Sequence, residues 1–181
     1  MSLHKDPELK EAILNLPPKE KDKLLVRLIS KDKMLMKQLH FQLLENEYDL
    51  EDRINTLREK LSSLLTPEKS GVKNVPLYSN YRTLTTLLRQ ASGMINEHEK
   101  ITKDKFSEVE FRLLILELAF SYYPALFQNS YVAASDKLRR YVSARLKTTL
   151  SKYDKLHEDL QFDLKESYDK VVSFSEAHQL L

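Results

Sequence analysis

The chain has 181 residues, with 29 Lys and Arg against 27 Asp and Glu, no cysteine and only two glycines. That length suits one soluble globular domain or two small ones, because a chain of this size buries roughly 70% of its unfolded surface. The missing cysteine excludes disulfides, thiolate metal sites and cysteine nucleophiles, and two glycines cannot build a phosphate-cradling loop.

Scarce glycine with abundant Leu, Lys, Glu and Gln favours helix throughout, so the expected fold class is all-α. Asp6 followed by Pro7 reads as a helix start, and Leu9, Ile13 and Leu16 keep helical spacing until Pro17-Pro18 stops the run. Pro18 opens a second helix with Leu24, Leu25, Leu28 and Ile29 as its apolar stripe. Asp32 caps a third, carrying Leu35, Leu39 and Leu43. A fourth is expected from Asp49, with Asp52 in capping-box position and Ile54, Leu57, Leu61 and Leu64 on one face. Residues 67–78 hold two prolines and a glycine without any period, and read as a linker.

Beyond the linker the helices lengthen. One runs from about Ser79 to Lys100, tolerating Gly93. Thr102 is placed to cap the next, where the run Leu113 to Phe120 is apolar nearly all round, as a central helix contacted on several sides would be. Pro124 breaks it. A long helix follows over about 131–153 and a last one over about 155–174. The expected architecture is an irregular helical bundle or a stack of antiparallel helical hairpins, about eight or nine helices in all. Its expected parts are 1–66, the linker 67–78, and 79–181. The opening residues lack an apolar signal region, and the longest uncharged stretch, Leu118 to Ser135, is too polar to span a bilayer. A cytoplasmic setting without membrane contact is the expectation.

The near-neutral total hides a local asymmetry. Residues 130–153 carry six basic groups against Asp136 alone, net +5, while 154–181 carry three basic and seven acidic groups, net −4. On a helical wheel Lys137, Arg140, Arg145, Lys147, Lys152 and Lys155 share one arc, opposite Leu138, Val142, Leu146, Leu150 and Tyr153. One meaning is a patch for nucleic acid or an acidic partner, with Tyr131 and Tyr141 placed to stack. The other is a solvated face neutralised by the acids of the last helix. Arg139 falls inside the apolar arc, and Glu117 is a lone acid within an apolar run. The expectation is that they form a structural ion pair, since an unpaired buried charge costs several kcal/mol.

The five histidines are scattered, and no nucleophile elbow or His-Glu-x-x-His occurs. Asp159, Asp163, Glu166 and Asp169 recur at helical spacing, so a magnesium site of the type used by all-α nucleotide pyrophosphohydrolases is a minor alternative. The aromatic run Tyr122 to Phe127 reads as core filler or as an interface anchor. By elimination the function expected is a non-enzymatic helical module that needs no cofactor and binds another macromolecule, a protein in the first place. Nucleic acid is the alternative partner. A homodimer closed by an apolar stripe of the N-terminal helices is a further expectation.

Overall fold

The computed structural model describes residues 5–128 and 130–181. Helix accounts for 82% of it, and among the described residues there are nine α-helices and no strand, so the protein is an all-α helical bundle. The chain divides into two compact units, Met1–Glu45 and Asn46–Leu181. This boundary differs from the one expected at residues 67–78.

The first unit holds α1 (Pro7–Leu14), α2 (Pro18–Ile29) and α3 (Lys33–Leu44). Its ends follow the punctuation. The Leu9 N–H donates to Asp6 Oδ1 at 3.0 Å, α2 opens on Pro18, and the Met34 and Leu35 N–H groups donate to Asp32 Oδ1 at 2.9 and 3.0 Å. Helix α2 packs against α3. Among the described residues of these three helices none is buried, although leucine is their commonest apolar residue.

The second unit begins with α4 (Glu47–Leu65), two residues before the start expected at Asp49. Asn46 is the cap here. Its Oδ1 accepts from the Tyr48 and Asp49 N–H groups, and Asp49 Oδ2 accepts from the Asn46 N–H, closing a reciprocal capping box. Residues 67–78 are not a free linker. They start with the short α5 (Pro67–Ser70), turn through Gly71 at φ +67°, and bury Val72. Asn80 then fixes the segment by accepting from the Lys73 N–H and donating to the Val75 carbonyl, while Asn74 accepts from the Ala125 N–H. Side-chain amides here take over the pairing that a helix or strand would supply.

Helix α6 (Tyr78–Thr102) ends on Lys103 in the left-handed conformation, and Asp104, rather than Thr102, caps α7 (Lys105–Tyr122). Helix α7 is the axis of the unit. It packs against α4, α6, α8 (Ala133–Tyr153) and α9 (Glu158–Ala177), which is why its sequence is apolar nearly all round. Leu113, Leu116 and Ala119 are buried along it. A 3₁₀ turn, Pro124–Phe127, follows α7 and sends Leu126 and Phe127 into the core, where Phe120, Phe127 and Phe174 meet ring to ring. The Tyr123 hydroxyl donates to the Leu65 carbonyl at 2.6 Å and accepts from Ser70 Oγ, tying α7 to α4 and α5. The aromatic run is therefore mostly core, with Tyr131 left fully in solvent.

Candidate functional site

Three features could carry function: the charged surface of α8, the polar pockets of the second unit, and the apolar surface of the first. The six basic residues expected on one arc of α8 divide among three directions. Lys137, Arg140 and Lys147 are exposed, as is Lys155 just beyond the helix. Lys152 is drawn inward, its Nζ donating to Glu108 Oε2 at 2.9 Å. Arg145 is half-buried and turns toward α6, where its guanidinium lies 5.4 Å from the Tyr141 ring centre. Arg89 approaches the same ring at 5.5 Å. A wheel assigns directions to Cα atoms, whereas long Lys and Arg side chains bend toward whatever charge or ring lies within reach.

The acids of α9 do not neutralise this surface. Helix α9 runs along α7 and meets α8 at both ends, through Tyr153 stacked on Tyr168 and through Arg139. Among the described residues no carboxylate lies within ion-pair distance of Lys137, Arg140, Arg145, Lys147 or Lys155. An open cleft of about 620 Å³ runs beside Arg140 and Lys147, with Leu180 and Leu181 on its other wall.

The ion pair expected between Glu117 and Arg139 is not formed. Glu117 faces α9 and accepts from Lys170 Nζ at 3.1 Å, while Arg139 donates to the carbonyls of Phe127, His178 and Gln179. Arg139 thus caps the C-terminal end of α9, where unsatisfied carbonyls attract a cation. The charge cluster that is buried was not anticipated. Glu108 on α7 accepts from Arg112 Nε at 2.9 Å, Arg112 Nη2 at 2.7 Å and Lys152 Nζ, with side-chain exposures of 3% for Glu108 and 7% for Arg112. Burial pushes the Glu108 carboxyl up, but the hydrogen bonds from Lys152 and Arg112 outweigh it and hold the group below its usual value. The i, i+4 order of Glu108 and Arg112 on an apolar helix was the available sign.

Outside this cluster lies a pocket of about 510 Å³ edged by Lys105, Thr148, Ser151, Lys152 and Lys155. A groove of about 670 Å³ between α4 and α6 is floored by Leu64, Leu87 and Met94. The acidic ladder of α9 does not converge on a metal. Glu166 pairs with Lys170, Asp169 with Lys165, and Asp159 and Asp163 face solvent. Among the described residues no three His, Asp or Glu side chains are placed to hold one ion. This corrects the magnesium alternative.

The first unit is built otherwise. Leu9, Leu14, Leu25, Val26, Leu28, Met36, Leu43 and Leu44 are each between 41 and 74% exposed. Helix α3 turns Met34, Leu35, Leu39 and Phe41 to half-buried positions and leaves Met36 and Leu43, one heptad apart, in solvent. No helix among the described residues is long and apolar enough to cross a membrane. No protein-family model, no curated protein and no solved structure matches this chain.

Proposed function

We propose that the protein is a non-enzymatic helical module of the cytoplasm that works by binding another protein, with α1, α2 and α3 as the docking element. The observation that carries this is the apolar surface of the first unit: three helices with none of their described residues buried and eight large apolar side chains facing water. Large apolar side chains gathered on exposed helices are what an interaction site presents, and an amphipathic helix laid into a partner's groove is a recurring way of using them. The second unit has a closed core around α7 and supplies a stable platform.

A photo-reactive residue at position 43 tests the reading in cells. The expected result is a protein adduct that persists through nuclease and disappears with Leu25→Glu and Leu28→Glu. A second reading, nucleic-acid binding through α8, is favoured by the exposed and unpaired Lys137, Arg140 and Lys147. In that case the adduct forms instead from position 144 and is nucleic acid. Binding would then weaken steeply with salt and fall when Arg140, Arg145 and Lys147 are neutralised together.

A further inference from the structure

We infer that the partner covering α1, α2 and α3 is a second copy of this chain, joined through the same helices about a two-fold axis. The inference rests on the docking role proposed above and names its partner. Helical segments of about 40 residues need disulfides, a metal or association to hold a fold, and this chain has no cysteine to make the first. The eight side chains are each 41 to 74% exposed, and a stable interface of standard size takes about 800 Å² from each partner.

Helix α3 supplies a self-complementary seam. It packs against α2, and its exposed Met36 and Leu43 with the half-buried Leu39 follow the i, i+3, i+7 spacing by which one helix meets another like itself. The charges of the unit are also self-complementary. Residues 6–14 carry Asp6, Glu8 and Glu11 against Lys10, net −2, whereas residues 18–44 carry seven bases against three acids, net +4. In a two-fold pair each contact occurs twice, so the acidic α1 of each copy can lie against the basic α2 and α3 of the other. An unrelated partner would have to supply both the apolar seam and the acidic rim that a second copy already carries.

Sedimentation velocity of the full chain between 1 and 100 µM tests this, with limited proteolysis read at the same concentrations. The expected species has twice the 21.3 kDa chain mass, α1 to α3 resist cleavage in it, and Leu25→Glu with Leu43→Glu returns it to single mass. Both side chains are more than half exposed, so the variant has no need to disturb a core. A dimer that survives this double substitution overturns the inference. A monomer whose α1 to α3 are cut rapidly overturns the second copy but leaves the docking role standing for another protein. A monomer whose α1 to α3 resist protease as α7 does overturns both.

Discussion

Replacing Glu108 by Gln keeps the side chain's shape, removes its charge and turns one of its two acceptor oxygens into a donor, which leaves the Arg112 guanidinium buried at 7% exposure with a neutral partner. Breaking a buried ion pair from one side costs about 3–5 kcal/mol. The carboxylate here also receives Lys152, so the cost belongs in that range rather than near the ~1 kcal/mol of a surface pair. Replacing both members, Glu108→Leu with Arg112→Met, removes charge and counter-charge together and is expected to cost about 1 kcal/mol or less, because apolar replacement of a whole buried pair is close to neutral. Lys152→Met, at a side chain 37% exposed, should cost the least of the single changes. Urea unfolding at pH 7 for Glu108→Leu, Arg112→Met and their double supplies the coupling energy directly. A Glu108→Gln loss below about 1 kcal/mol, with no coupling in the cycle, would refute the assignment of this cluster as the buried electrostatic centre of the second unit.

Other expectations follow from single side chains. His98 is buried, with Nε2 2.9 Å from Ser107 Oγ, and desolvation lowers its pKa from the ordinary 6.5. The unfolded chain therefore takes up this proton first, so stability should fall as pH drops below 6.5 and keep falling toward the depressed folded value. His98→Gln should flatten that slope in urea midpoints measured at pH 7.5 and 5.5. Glu108 acts in the same direction at lower pH: its folded value lies below that of a free carboxyl, so its contribution is complete above about 4.3 and lost as pH falls through the folded value. Arg139→Met should destabilise by about 2–3 kcal/mol, since three carbonyls lose a charged donor, and should do so more than Arg145→Met; equal unfolding midpoints would reject the cap. Gly93 sits inside α6 with open space where a Cβ would stand, so Gly93→Ala should raise stability by about 1 kcal/mol, read as a higher melting temperature.

How far the sequence could be read depends on the range of the interaction. Helix starts at Asp6, Pro18 and Asp32 and the break at Pro124 are local chemistry, decided within a few residues, and they stand where the pattern placed them. The central role of α7 was legible for the same reason, since its run Leu113 to Phe120 is apolar nearly all round. Pairings across the fold were not. Glu117 finds Lys170 fifty-three residues away, and Arg139 finds backbone carbonyls at the end of α9, partners that leave no spacing signal in the chain. Segment 67–78 looked free because its fixing groups, Asn74 and Asn80, bond to backbone rather than form a periodic stripe. The basic arc of α8 dispersed because wheel angles carry no information about neighbours.

The first unit is where patterning and packing part company. Its stripes predict buried leucines, and the described residues of α1 to α3 include none that is buried; under the docking role proposed above, a partner supplies the missing burial. Peptide-resolved hydrogen exchange of the full chain across a dilution series, from 100 µM downward, puts that claim to the most direct test. Amides of α1, α2 and α3 should lose protection as the chain is diluted while those of α7 keep theirs. Protection of residues 18–44 that equals that of α7 and stays constant at every concentration would contradict the claim that these helices depend on a partner.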